Sequence, residues 1–323
     1  MTHPQNTYAL VADIGGTNTR VALADGPRVL ASTIRRYANK DFTGLEPVLR
    51  QYLADEGGVN PIATCVAVAG PVQDGQATMT NLDWAMTERS LGEATNAETV
   101  AILNDLQAQG HAIGHVAEEN LETVLVGEAA AETSSKLVIG VGTGFNAAPV
   151  IESTGGRVVP ASESGHATLP THSDKQCALS RFVSQTHGFP SIEDVLSGRG
   201  LENTYAFVTK DISDVKPLQA QDIMTACDAG DPLAKEAVHL CVEILGAVCG
   251  NLALTLLPFG GIYLVGGVSR AFAPHLNDAG FAKAFCDKGR FAAFMESFPI
   301  SVVTDDYAAL TGCAAYLSQT KSI

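Results

Sequence analysis

Apolar and polar positions succeed one another along this chain with short glycine-rich breaks, a pattern that predicts strands and helices in alternation. Tyr8 to Asp13 is an apolar run, Gly15-Gly16-Thr17-Asn18 interrupts it, and Val21 to Leu23 resumes it: strand, turn, strand. Arg28 to Ile34 predicts a third strand. Thr43 and Glu46 stand at capping-box spacing before a helix whose Leu45, Leu49, Tyr52 and Leu53 share one face. Gly57-Gly58 ends that helix, and Ala63 to Ala69 is a short buried strand. The order β-β-β-α-β predicts a mixed sheet rather than a purely parallel one. Thr87 suits the N-cap of a short helix, and Thr99 to Leu103 is another strand that runs directly into Asn104-Asp105.

The second half repeats the opening. Lys136 to Val159 predicts a second set of hairpins around Gly142-Thr143-Gly144, and Ser191 reads as an N-cap. Asp231-Pro232 opens a long helix that stops before Pro258. Its apolar stripe runs through Leu240, Ile244, Leu245, Val248, Leu252 and Leu256, and Gly246 and Gly250 share a face on which another helix can approach. Gly261 to Val265 is a strand that Gly266-Gly267 turns into a helix. Ile300 to Val303 and Tyr307 to Leu317 are the last strand and helix.

Composition narrows the class. At 323 residues, 46% hydrophobic and 17% charged, the chain has the make-up of a globular protein of about two domains. Its formal net charge of −15 argues against a nucleic-acid surface or an anionic membrane as partner. Any bound phosphate must then be held by backbone amides, a metal ion and a few local cations. No basic-then-apolar leader pattern stands at the N-terminus, and Glu243 and Asn251 break the longest apolar run. The 7 cysteines are scattered and mostly apolar in context, as free thiols in a reducing cytoplasm would be.

Candidate chemistry gathers at the glycine turns. Gly15 and Gly16 allow backbone conformations that a β-carbon would forbid, and amides in such a turn form a concave anion site. Thr17 and Asn18 flank it, while Asp13 is placed to hold a magnesium ion through water. A plain hairpin containing glycines is the competing reading, and the second copy at Gly142-Thr143-Gly144 weighs against it. Gly142-x-Gly144-x-x-Ala147 also matches a dinucleotide fingerprint, with Glu163 near the ribose-ligand distance. That fingerprint needs a helix at the turn, whereas Pro149 and Gly155-Gly156 predict strand and hairpin. Asn104-Asp105 lies beyond a strand's carboxyl end, where open α/β sheets bind ligands. Asp105 suits either accepting a proton from a substrate hydroxyl or capping the helix Leu106 to His115. Glu163 and His166 suit the paired hydroxyls of a polyhydroxy ligand better than zinc: His172 and Cys177 are loosely spaced, and no Cys-x-x-Cys exists. Glu193 complements a helix dipole or binds ligand. Gly266-Gly267 leaves room for a flat base, or is a structural turn.

Taken together, Asp13-Ile-Gly-Gly-Thr-Asn18, Ile102-Leu-Asn104-Asp105, Gly142-Thr-Gly144, Glu163-Ser-Gly165-His166, Glu193-Asp-Val-Leu-Ser-Gly198 and Val265-Gly-Gly-Val268 resemble the bacterial ATP-dependent glucokinases over nearly the whole chain. The resemblance implies an α/β, two-lobed actin-like (ribonuclease H-like, hexokinase-type) fold with mixed sheets and a cleft between lobes. The small lobe would be residues 1–112 plus 306–323, and the large lobe 113–305. It implies transfer of the ATP γ-phosphate to the glucose 6-hydroxyl with Asp105 as general base. Asn104, Glu163, His166 and Glu193 would hold sugar hydroxyls with it. Asp13, Ile14, Gly15, Gly16, Thr17, Asn18, Gly142, Thr143 and Gly144 would cradle phosphates, and Gly266 and Gly267 would lie against adenosine. Magnesium, held indirectly by Asp13, is expected and zinc is not, because only Cys177 follows where the related repressor/kinase family carries a cysteine-rich zinc motif. A homodimer is implied by the same resemblance. A kinase for another hexose, a silent sugar-binding regulator and an Hsp70-like ATPase are the other readings. Two departures stand out. Ser162 and Ser164 occupy glycine positions of the family pattern, and Phe145-Asn146 replaces Leu-Gly, with asparagine expected to tolerate a left-handed backbone there.

Overall fold

The computed structural model describes residues 7–79 and 82–320. Two compact units organise them: Met1–Glu118 with Thr154–Ala161 and Asp305–Ile323, and Glu119–Ser153 with Ser162–Thr304.

In the first unit, strands Ala9–Ile14, Ala63–Val68 and Thr99–Asn104 are parallel, and Asn18–Asp25 pairs antiparallel with the first of them, giving the expected mixed sheet. Leu10, Ala12 and Ile14 face one side with Tyr52 and Leu49, and Val11 and Ala9 face the other with Leu310 and Leu317. That two-sided burial explains why the first strand reads as an unbroken apolar run. Two local expectations fail. Arg28 to Ile34 is only a two-residue strand, Arg28–Val29, followed by a 3-10 turn at Ala31–Thr33. There the Thr33 hydroxyl donates to Leu30 O at 2.7 Å and accepts from Leu23 N at 3.0 Å, a side-chain turn that displaces the ladder. The capping box at Thr43 does not form: Gly44 is the N-cap of Leu45–Asp55, and Glu46 instead accepts from Ser90 Oγ.

The helix Asp105–Ala112 is held at both ends. At its C-terminus Arg157 Nη1 donates to the carbonyls of Gly110, His111 and Ile113, where the last turn runs out of intrahelical donors. Along its length it packs against Ala308–Thr320, where a β-carbon on Gly312 would stand 1.7 Å from Ala108 O. The close approach fixes the helix that carries Asp105.

In the second unit the strand order is Leu121–Leu125, Ile300–Val303, Ile262–Val265, Lys136–Val141, Phe145–Ser153. Lys136–Val141 runs parallel to Ile262–Val265 and antiparallel to Phe145–Ser153. Pro232–Leu256 opens as read, with Asp231 Oδ1 accepting from Ala234 N at 2.8 Å. By length and hydropathy it could cross a membrane, but 67% of its most apolar window is buried inside the protein, as the core helix of the unit. Gly246 and Gly250 do receive a neighbour: added β-carbons there would lie 2.4 and 2.5 Å from the carbonyls of Phe281 and Phe285 in the helix Phe281–Cys286. No helix starts at Ser191. Its hydroxyl caps a turn closed by Asp194, and the helix begins at Gly198 with Ser197 as N-cap.

Candidate active site

The first unit brings two of the expected groups to one sheet edge. Ile14 is in register with Val68, and Val68 with Asn104, so the turn Asp13–Asn18 and the pair Asn104-Asp105 both leave the carboxyl edge, two strands apart. At the ordinary strand spacing that is about 10 Å. Gly15 N donates to Asn18 O at 3.0 Å and closes the turn. Gly15 is not there for backbone freedom. Neither Gly15 nor Gly16 takes a positive φ, and a β-carbon on Gly15 would make an ordinary 3.5 Å contact with Asn18 O.

Asn39, which the sequence reading missed, buttresses this turn. It donates from Nδ2 to Gly15 O at 2.8 Å, accepts from the Thr19 hydroxyl at 2.8 Å, and its N–H reaches Thr17 O. It is 24 positions from Gly15, and no local pattern marks it. Arg20 was missed too. Its Nη1 lies 3.1 Å from Asp13 Oδ2, whose side chain is 17% exposed. Burial pushes the Asp13 carboxyl above its ordinary value, and the Arg20 charge and hydrogen bond offset part of that rise.

The cap of this helix is placed one residue before Asp105. Asn104, not Asp105, is the N-cap: its Oδ1 accepts from Leu106 N and Gln107 N at 2.9 and 3.1 Å, and Gln107 Oε1 accepts from Asn104 N. Asp105 is the first residue inside the helix, exposed, with Oδ1 accepting from Leu106 N at 2.8 Å. The N-cap is thus Asn104, whose carbonyl oxygen is committed to the backbone, and Asp105 stands in the first turn of the helix that follows.

In the second unit the register Gly140 to Val265 sets the turn Gly142–Gly144 and the pair Gly266-Gly267 at the same sheet edge. After Gly144 the chain enters the strand Phe145–Ser153, which rules out the dinucleotide fingerprint. A β-carbon on Gly142 or Gly267 would meet nothing within 4 Å, so open space fronts both turns. Gly266 is different: its φ is +98°, and a β-carbon would lie 2.4 Å from Val141 O.

Glu193 and the segment Glu163–His166 are sewn to the first of these turns. Glu193 Oε2 accepts from Phe145 N at 2.9 Å, Glu193 N donates to Gly165 O at 2.9 Å, and Gly198 N donates to Gly142 O at 2.8 Å. Oε1 of Glu193 faces Arg199 at 3.4 Å. Glu163 and His166 are exposed, and a cavity of about 460 Å³ is lined by His166, Glu193, Ser197 and Arg199 among others. Asn146 has no left-handed backbone. It sits in a strand opposite Gly140 and acts through its side chain, which binds Ser162 and Ser164. Among the described residues no cluster of three or more His, Cys, Asp or Glu is placed to hold a metal.

The glucokinase family model matches residues 10–320. The glucokinase of Erwinia tasmaniensis is 34% identical over 322 residues, covering 97% of this chain and 98% of that protein. The crystal structure of a glucokinase from an Antarctic psychrotroph superposes with a TM-score of 0.86 at 29% identity, covering 97% of this chain and 99% of the other. A ROK-family glucokinase from Streptomyces griseus, solved in complex with glucose and AMPPNP, shares the fold at a TM-score of 0.65 and 20% identity, over 97% and 99% of the two chains. A mixed α/β chain matched end to end in sequence and in fold leaves one assignment, and this protein belongs to the glucokinase family.

Proposed function

We propose that this enzyme transfers the γ-phosphoryl group of ATP to the 6-hydroxyl of glucose, with Asp105 as general base. The observation that carries the base assignment is the division of labour at the Asp105–Ala112 helix. Asn104 caps it, so the exposed carboxylate one residue later is not the N-cap and stands at the carboxyl edge of the sheet. In this reading Asn104 offers its amide to a neighbouring hydroxyl. Glu163, His166 and Glu193 hold the hydroxyls toward the anomeric end. The turns Asp13–Asn18 and Gly142–Gly144 take the phosphates, and Gly266-Gly267 takes the adenosine. Positioning and electrostatics dominate such transfers, because the transition state is largely dissociative.

The donor set fits magnesium. A carboxylate whose pKa is raised by burial gains from a nearby cation, and magnesium is characteristically held by one or two carboxylates together with substrate phosphates and water. When bound, magnesium neutralises developing charge on the phosphates. Asp13 would hold it through water, with Arg20 keeping the carboxylate oriented.

The raised value carries a sign that can be checked. A carboxyl whose folded pKa exceeds its unfolded one favours folding while protonated, and that contribution is lost as pH rises from the ordinary 3.8 through the raised value. Asp13→Asn is expected to remove this part of the pH slope in thermal unfolding of the ligand-free protein while abolishing magnesium-dependent turnover. An unchanged slope with intact turnover would show that Asp13 has neither role.

For the sugar side, Glu163→Ala is expected to weaken glucose binding by roughly 1–3 kcal/mol, the cost of a polar group left without its partner. Equal calorimetric affinity in variant and wild type would remove Glu163 from the sugar site. Phosphorylation of glucose in a coupled assay, compared with mannose, fructose and N-acetylmannosamine, tests the function itself.

A further inference from the structure

Resting on the sugar-kinase reading, we propose that Asn146 is a positioning residue that sets glucose affinity by fixing the loop carrying Glu163 and His166. Its side chain spans that loop on both sides of Glu163. Oδ1 lies within hydrogen-bond distance of Ser162 Oγ at 2.8 Å, Ser164 N at 3.0 Å and Ser164 Oγ at 3.0 Å, which share its lone pairs. Nδ2 donates to Ser162 O, and the Ser162 hydroxyl also lies against Ala147 O. Asn146 itself is held by a strand: it pairs with Gly140, and its Oδ1 takes the N–H of Ala147 at 2.8 Å. One anchored amide therefore immobilises the residues immediately before and after Glu163, whose own side chain is left exposed.

The rest of the loop closes from the other direction. Gly165 comes so near Phe145 that a β-carbon would stand 2.1 Å from its carbonyl oxygen, and Gly165 O receives Glu193 N. The three residues Asn146, Ser162 and Ser164 thus form one device. Freezing the loop before sugar arrives lowers the ordering cost of binding, so its loss should raise KM and leave the chemical step largely intact.

Asn146→Ala is expected to raise the glucose KM about tenfold, with kcat changed by less than about threefold. The ATP KM should stay within about twofold, although Asn146 is only two residues beyond the Gly142–Gly144 turn. General loosening of the hairpin would move it. Asn146→Asp keeps the accepting oxygen but not the donor, and should fall between wild type and alanine. Ser164→Ala removes one partner of the same device, so the double variant should change KM by less than the product of the single changes. Ser164→Ala also carries the test if Asn146→Ala does not fold. An unchanged glucose KM, parallel shifts in glucose and ATP KM, or multiplicative effects would each overturn the proposal. Turnover of glucose by the wild type is the separate control on the kinase reading. Without it, calorimetric glucose affinities of the same variants still decide the role of Asn146.

Discussion

Asp105→Asn is expected to lower kcat by at least about 10²-fold, the lower end of what loss of a positioned general base costs. The change keeps shape and hydrogen-bonding reach but removes proton acceptance at neutral pH. Glucose should still bind, with KM within about tenfold, so kcat and kcat/KM fall together, the mark of an interaction made in the transition state. The folded structure should tolerate the change. The cap bonds to Leu106 and Gln107 come from Asn104, and an amide oxygen at 105 can still accept from Leu106 N. Asn104→Ala, by contrast, removes the cap and should cost about 1 kcal/mol of stability, besides weakening glucose binding through the lost amide. Near-wild-type glucose phosphorylation by Asp105→Asn would remove this carboxylate from the mechanism.

Gly266→Ala is expected to be the most damaging single methyl on the nucleotide side. Its φ of +98° with ψ of 165° lies in a region essentially reserved for glycine, which costs an alanine about 1–3 kcal/mol. The methyl would also overlap Val141 O at 2.4 Å, and overpacking of this kind adds about 1–3 kcal/mol. Val141 immediately precedes the turn Gly142–Gly144, so relief of that overlap displaces the expected phosphate turn as well. A clear drop in urea midpoint together with a raised ATP KM is the expected pair of results. Gly267→Ala is the control: its β-carbon meets open space, so stability should be kept, and any rise in ATP KM would report the nucleotide lying against it. Wild-type stability in Gly266→Ala would contradict the backbone conformation at that turn.

Much of the architecture was legible because the signals are local. Apolar runs ending in Gly-rich turns announced the strands, and Asp231-Pro232 announced the core helix. The spacing of Gly246 and Gly250 announced its close partner, since side chains four apart share a helix face. The two glycine turns and the Asn104-Asp105 pair could be placed at strand ends for the same reason. Local reading failed where a side chain competed with the backbone. Thr33 broke a strand whose residues favour extension, and the cap at Thr43 gave way because Glu46 found Ser90, 44 positions away.

The sequence by itself determined the principal strands and the core helix and the mixed sheet, and it nominated candidates for phosphate, proton and sugar chemistry. These follow from periodicity and side-chain type, which are properties of short stretches. Tertiary structure alone decided how the candidates are held. It placed the helix cap on Asn104 rather than Asp105, put Arg20 and Asn39 behind the Asp13 turn, and tied Glu193 to Phe145. It also turned two separate departures, Asn146 and the serines flanking Glu163, into one hydrogen-bonded device. Each of these depends on directional contacts between residues distant in sequence, whose partners are chosen by sheet register and close packing and leave no periodic trace in the chain.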